Sequence, residues 1–186
     1  MRFACLIADG FEDIEAIGTV ALLRRADIQV DLVSVTNQPT VTGYYQSVVK
    51  ADLPMAKCRV ANYDGLLIPG GKHARTLCES PDVLAMVREF YRKDKWMAAI
   101  CAAPSVFGAA GIMKGKRFTA FPSIERLVPD GLYEKKLAVT DGKIITGLAA
   151  GAVYEFAFEI IRQVLGSDKR DDMVKKILYH ADETEK

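Results

Sequence analysis

No charged residue occurs from Trp96 to Met113. A run of this kind has to be buried, in a bilayer or in a protein core, because ~18 apolar residues is about the least that spans a membrane as a helix. Its own residues decide for the core. The run is rich in alanine, Pro104, Ser105, Gly108 and Gly111 interrupt it, and Lys95 and Lys114 close it at both ends. It reads as a buried strand over 97–100 followed by a buried helix over 102–110. A strand buried on both faces belongs to a parallel sheet covered by helices.

The rest of the chain alternates in the same way. Short apolar runs at 3–8, 28–35, 65–68 and 143–147 read as strands, the first ending at Asp9-Gly10 and the third at Pro69-Gly70-Gly71. Between them lie helical periods through Ile14, Ile17, Val20, Ala21 and Leu22, through Val83, Leu84, Val87 and Phe90, and over 151–165. Residues 40–51 alternate around Gly43 and predict a hairpin, residues 55–60 a short helix, 118–119 a short strand, and 124–128 a helical turn. A last helix and tail at 167–186 carries an apolar stripe of Met173, Val174, Ile177 and Leu178, to dock on the body or on a second subunit. Such alternation specifies an α/β, doubly wound fold, a mostly parallel sheet with helices on both faces. At 186 residues the chain is expected to form a single domain, 1–186.

Composition narrows the chemistry. With 25 basic and 24 acidic residues the net charge is +1, which gives no electrostatic drive toward nucleic acid or an anionic membrane. Cys5, Cys58, Cys78 and Cys101 form no CxxC pair, and Met1 leads directly into a strand, so no leader is expected and the thiols read as reduced and cytoplasmic. The two histidines, His73 and His180, leave a zinc site short of ligands and a cysteine enzyme short of bases. No metal and no cofactor is expected.

Ligands of doubly wound sheets sit beyond the carboxyl ends of the strands, here Asp9-Gly10, Gly70-Gly71 and Cys101. Cys101 occupies a strand-to-helix turn between Ala99 and Ala102-Ala103-Pro104, the build of a nucleophile elbow. A helix N-terminus there favours the thiolate, although a cysteine is as readily a small buried hydrophobe. Cys5 reads as core, whereas Cys58 and Cys78 fall in short segments open to exposure. Gly70 and Gly71 permit close backbone approach to a ligand, or form a plain turn. The N–H groups of Gly71 and Ala102 are candidates for an oxyanion hole. Glu15 lies among Ile14, Ala16 and Ile17. Buried beside a thiolate it would keep its proton and donate it to the sulfur. His73, two residues past Gly71, is a candidate base or substrate contact, or else a surface side chain, and His180 belongs to the solvated tail.

GFEDIEA at 10–16, YDGLLIPGG at 63–71 and AAICAAP at 98–104, in this order and spacing, resemble the DJ-one/ThiJ/PfpI superfamily, most of all its ThiJ/YajL-type bacterial branch. FTAFPSIERLVP at 118–129 and the helix from Gly151 extend the likeness to about residue 165. The resemblance implies a flavodoxin-like fold, commonly dimeric. It implies Glu15 as the motif glutamate, Cys101 as the oxidation-sensitive elbow cysteine, and Gly71 and Ala102 as backbone donors. Activities assigned across the superfamily include glyoxalase and deglycase reactions, thiol-based protection from oxidative stress and chaperone-like holding. An older label ties it to thiamine thiazole biosynthesis. This chain departs from the pattern at four places. Ala102 stands where peptidase members carry a histidine, and Phe121 where others place one before the later proline. Leu148-Ala149-Ala150 replaces a more polar loop, and Tyr45 stands for an arginine near the cysteine.

Four functions remain open. The first is cysteine-dependent chemistry on small reactive carbonyl compounds or glycated adducts, with Cys101 as nucleophile and Glu15 moving the proton. The second is a redox-responsive or chaperone-like homodimer with an oxidisable Cys101. An amidase or peptidase-type hydrolase would need His73 within reach of the sulfur. The last is a structural or binding domain with an inert cysteine.

Overall fold

The computed structural model of the protein describes residues 1–179; His180 and the remaining tail expectation lie outside them. Strand β1 (Arg2–Ile7) leads through a loop to a π-helical turn, Ile14–Gly18, which continues as α1 (Thr19–Arg25). Then come β2 (Gln29–Ser34), the hairpin strands β3 (Thr40–Thr42) and β4 (Val48–Lys50), the short β5 (Leu53–Pro54), and β6 (Gly65–Ile68). Helices α2 (His73–Glu79) and α3 (Pro81–Arg92), strand β7 (Trp96–Ile100) and α4 (Pro104–Ala109) follow. Strands β8 (Arg117–Phe118), β9 (Leu132–Tyr133), β10 (Ala138–Asp141) and β11 (Ile144–Gly147) precede α5 (Val153–Leu165) and α6 (Ser167–Lys176).

The main sheet has the order β10-β11-β7-β6-β1-β2-β5. All pairs are parallel except β10 with β11. Alternate residues of β1 serve the two faces, as the period of a strand requires. Ala4 and Leu6 join Leu66, Ile68, Met97 and Ala99 under α2, α3 and α4. Phe3, Cys5 and Ile7 join Leu67, Ala98, Ile100 and Ile145 under α1 and α5. This is the doubly wound, flavodoxin-like arrangement that the alternating sequence demands, and Cys5 is core as expected. The charge-free run becomes β7, a turn and α4, with residues 97–100 of the strand and Pro104, Ser105, Val106 and Phe107 of the helix buried. Among the described residues no helix is long and apolar enough to cross a membrane.

The differences from expectation are local. Residues 55–60 form two separate 3-10 turns, Met55–Lys57 and Val60–Asn62, because Cys58 and Arg59 between them are extended. Cys58 is thereby buried beside Tyr63 and is not exposed. Helix α2 and the antiparallel edge strand β10 are additional. Each is short and buries few side chains, Ala74 and Leu77 among those of α2 and Val139 of β10, so neither carries a legible period. Helix α3 starts where the sequence places it, with the Ser80 hydroxyl accepting the Val83 N–H at 3.4 Å and Pro81 in the first turn.

Candidate active site

From β1 the chain passes to β2 on one side and returns to β6 on the other, so the sheet order reverses between β1 and β6. The crevice of a doubly wound sheet opens at such a point. Here the loops after β1, β6 and β7 meet, and bring Glu15, Gly70, Gly71 and Cys101 together.

Cys101 is the first residue after β7 and has φ of +64°. Left-handed backbone costs a residue with a Cβ roughly 1–2 kcal/mol, so something must hold it. Its N–H donates to the Gly147 carbonyl at 2.9 Å, and its own carbonyl accepts the Phe121 N–H at 2.9 Å. The Ala103 N–H closes the turn on Ile100 at 3.0 Å. The sharp elbow expected from the small neighbours of Cys101 is therefore present, pinned by β11 and by the loop before 124.

Glu15 enters from the opposite side. A π-helical turn carries one residue more than an α-helical turn and shifts which side chains face inward. Over Ile14–Gly18 the outcome is an inverted polarity: Ile14 is 59% exposed and Ile17 44%, while Glu15 is 0% exposed. An ordinary amphipathic helix would bury the isoleucines. The turn is fixed at its start by Asp13, whose carboxylate accepts the N–H groups of Tyr45 (2.8 Å) and Ser47 (3.0 Å) from the hairpin tip.

Glu15 Oε2 accepts the Gly70 N–H at 2.8 Å. Its second oxygen, Oε1, is buried without a hydrogen-bond partner, and the carboxyl stands beside the Cys101 side chain. The backbone N–H groups of Ala102 and Gly71 are also directed at the Cys101 sulfur. Thus the two donors picked out in the sequence converge on one atom. Burial pushes the Glu15 carboxyl up to about 7, with the charge of Glu12 adding to the effect and the bonds to Cys101 and Gly70 opposing it.

Burial likewise raises Cys101, and the neighbouring Glu15 raises it further, while the Ala102 and Gly71 N–H groups act the other way. The helix-terminus effect expected to favour the thiolate is outweighed, because α4 is only six residues long and the sulfur is largely desolvated. The two groups titrate as a pair. A thiolate forms at low cost only when Glu15 holds the proton and donates to it, since two adjacent anions repel.

Gly70 owes its lack of a side chain to this pair and not to a ligand. A Cβ there would lie 2.5 Å from Glu15 Oε2 and 2.6 Å from Cys101 Cβ. Gly71, at φ +100°, lies against the backbone of residues 10–12, where a Cβ would meet the Glu12 nitrogen at 2.4 Å. Gly70→Ala is accordingly expected to destabilise the protein by about 1–3 kcal/mol. It should also separate Glu15 from Cys101, read as a lowered urea midpoint together with a changed pH profile of Cys101 alkylation.

His73 is neither a surface side chain nor a base in the cleft. It is 1% exposed, with Nδ1 accepting the Ala8 N–H at 3.2 Å and Nε2 bonded to the Pro69 carbonyl at 2.7 Å. The acceptor role of Nδ1 places the proton on Nε2. Burial pushes the imidazole down to about 4. Both nitrogens are committed to tying the ends of β1 and β6 together. Its sequence signal, a histidine two residues past a Gly-Gly turn, did not separate these roles.

The sulfur opens to a cleft of about 630 Å³ lined by Glu12, Tyr44, Tyr45, Lys72, Phe121 and the 149–151 loop, among others. Its far wall of Ala149, Ala150 and Gly151 is apolar, as the sequence indicates. Tyr45 does line the cleft, and among the described residues that line it the one basic side chain is Lys72, whose ammonium lies 4.2 Å from the centre of the Tyr44 ring. Among the described residues no group of three or more His, Cys, Asp or Glu side chains is placed to hold a metal ion.

Comparison with known proteins agrees with this fold. The chain is 31% identical over 176 residues to Protein dj-1beta of Drosophila melanogaster, covering 93% of this chain and 94% of that one. It is 29% identical over 188 residues to the Glutathione-independent glyoxalase DJ-1 of Schizosaccharomyces pombe, covering 95% and 98%. A crystal structure of a mutant of the DJ-1 superfamily protein STM1931 from Salmonella typhimurium superimposes with a TM-score of 0.90 at 31% identity, over 96% of this chain and 98% of that one. Against Protein DJ-1 homologs B and A of Arabidopsis thaliana the chain spans only 40% and 44% of their length. The sequence profile of the DJ-1/PfpI family matches residues 1–163, and with the elbow cysteine and its glutamate in the crevice of a doubly wound sheet, the chain belongs to that family.

Proposed function

We propose that the protein converts small 2-oxoaldehydes, methylglyoxal in the first instance, to hydroxy acids, with Cys101 as nucleophile and Glu15 as proton carrier. One observation carries this reading: a buried carboxyl and two backbone N–H groups converge on a single sulfur at the floor of an open, mostly apolar cleft. The glyoxalase name of the Schizosaccharomyces pombe relative supports it.

The chemistry balances without an external oxidant or reductant. The Cys101 thiolate adds to the aldehyde carbon, and the Gly71 and Ala102 N–H groups stabilise the developing alkoxide. The Glu15 proton goes to that oxygen, giving a hemithioacetal. Glu15, now a carboxylate, takes the C–H proton and returns it to the neighbouring carbon while the hydroxyl proton of the hemithioacetal passes to the former ketone oxygen, so that the aldehyde carbon is oxidised as the ketone carbon is reduced. The resulting thioester is hydrolysed by one water to lactate, and the sulfur is regenerated. Glycated thiols or amines reach the same hemithioacetal or hemiaminal level and fall within the same reading.

A second reading, oxidation of Cys101 by two equivalents of peroxide through the sulfenic to the sulfinic acid, each releasing water, is favoured by the same donors around a half-buried cysteine. The hydrolase reading loses its base, because His73 has no uncommitted nitrogen. Excess methylglyoxal in the absence of glutathione distinguishes the two. Many equivalents of lactate per protein are expected. Uptake of no more than one equivalent, as an adduct on Cys101, would leave the oxidation reading in its place.

A further inference from the structure

We propose that Glu12 is a positioning residue of the site, its carboxylate holding the Glu15 backbone in place and keeping the proton on the Glu15 side chain. This rests on the reading of Glu15 as proton carrier and assigns to Glu12 the control of when that proton is present.

Glu12 binds the site at three points. Its N–H donates to the Gly70 carbonyl at 2.8 Å, and its own carbonyl accepts the Ala16 N–H at 3.0 Å. Its side-chain Oε2 accepts the Glu15 N–H at 2.7 Å. The first bond ties it to the loop that also hydrogen-bonds the Glu15 carboxyl, and the other two cap the π-helical turn that turns Glu15 inward. The same side chain lines the cleft beside Glu15 and Cys101. A carboxylate at that place is not needed for capping alone, since a neutral acceptor would serve as well. What a carboxylate adds is charge.

The sign of its effect follows from the groups around Glu15. On the elbow side stands Cys101, and on the β6 side the Gly70 N–H. Behind the loop His73 is buried and held neutral. Asp13 points to the hairpin, where it is spent on Tyr45 and Ser47. Lys72, the opposing charge at the cleft, sits over the Tyr44 ring, and Tyr45 completes that rim. Among these, Glu12 is the group whose negative charge acts on the carboxyl of Glu15, in the same direction as burial. It makes the Glu15 anion less favourable and the neutral, donating form more so.

The test is a carbon-13 NMR titration of the Glu15 side-chain carboxyl in the wild-type protein, Glu12→Gln and Glu12→Ala. Glu12→Gln keeps an acceptor for the Glu15 N–H and removes the charge. It is expected to move the Glu15 midpoint to lower pH by roughly half to one unit. Alkylation of Cys101 at neutral pH should slow in parallel, because less of the pair holds its proton on Glu15. A Glu12→Gln midpoint coincident with wild type, whatever Glu12→Ala does, overturns the proposal and leaves Glu12 as a cap only. The titration needs no turnover. If wild type fails to convert methylglyoxal while the midpoint still moves, the catalytic reading falls and the control of the Glu15 proton by Glu12 stands.

Discussion

Methylglyoxal turnover is expected to fall to background in Cys101→Ala, and by roughly 100- to 10,000-fold in Glu15→Gln, the usual worth of a positioned proton-transfer group. The second variant is the more informative. Glutamine matches glutamate in shape, and its carbonyl can still accept the Gly70 N–H that Oε2 accepts at 2.8 Å. Its amide can donate to the sulfur from the place that the Glu15 carboxyl occupies beside Cys101. The elbow, the cleft and the two backbone N–H groups should all survive. Only the transferable proton is gone. The hemithioacetal can then form only with a proton from solvent in place of that of Glu15, and it cannot rearrange, so protein incubated with substrate should accumulate a covalent adduct on Cys101, visible as an intact-mass increase. Turnover by Glu15→Gln close to wild type would refute the role given to this carboxyl, and turnover by Cys101→Ala would refute the site.

Much of this arrangement was readable in the sequence, for a physical reason. Strands buried on both faces must be apolar throughout, and strand ends that support a ligand crevice must carry small residues. Residues 3–8, 65–71 and 97–104 therefore announce themselves, and with them Cys101, Gly70 and Gly71. Glu15 was legible as a charged residue within an apolar helical stretch. The device that buries it was not: the pattern of Ile14 and Ile17 predicts an α-helix with both side chains inward, and the π-helical turn exposes both. Nothing in local periodicity encodes one extra residue in a helical turn. The role of His73 was equally hidden. Its two hydrogen bonds reach Ala8, 65 positions away, and Pro69, and only the assembled crossover brings these together. For Cys101 a helix-terminus argument weighs dipole and position, whereas desolvation and a carboxyl from another segment act on the sulfur in the opposite direction.

The buried pair of titratable groups, His73 and Glu15, is expected to make stability respond to pH in opposite senses that cancel in the wild-type protein. His73 is pushed down to about 4 in the fold, below the ~6.5 of an unfolded histidine. Between those values the unfolded chain binds a proton that the native protein refuses, so stability falls as pH falls. Glu15 is raised to about 7, from the 4.5 of an ordinary glutamate. Between those values the native protein holds a proton that the unfolded chain has released, so stability falls as pH rises. The windows overlap from pH 4.5 to 6.5, and across it each group contributes roughly 2–3 kcal/mol. The carboxylates held low by their partners, Asp13, Asp141, Glu134 and Glu159, lose their contribution as pH falls through the unfolded carboxylate range, so they touch the acid edge of this window and do so equally in wild type and both variants.

Urea unfolding at pH 4.5, 5.5 and 6.5 separates the two. Wild type should be nearly flat, Glu15→Gln should gain stability steadily with pH, and His73→Leu should lose it. His73→Leu starts from a lower level at every pH, because the Ala8 N–H and Pro69 carbonyl are left buried without their partner, at a cost of about 1–3 kcal/mol each. The slopes and not the levels carry the inference. A steep wild-type slope with both variants parallel to it would mean that neither group is buried in the protonation state assigned to it.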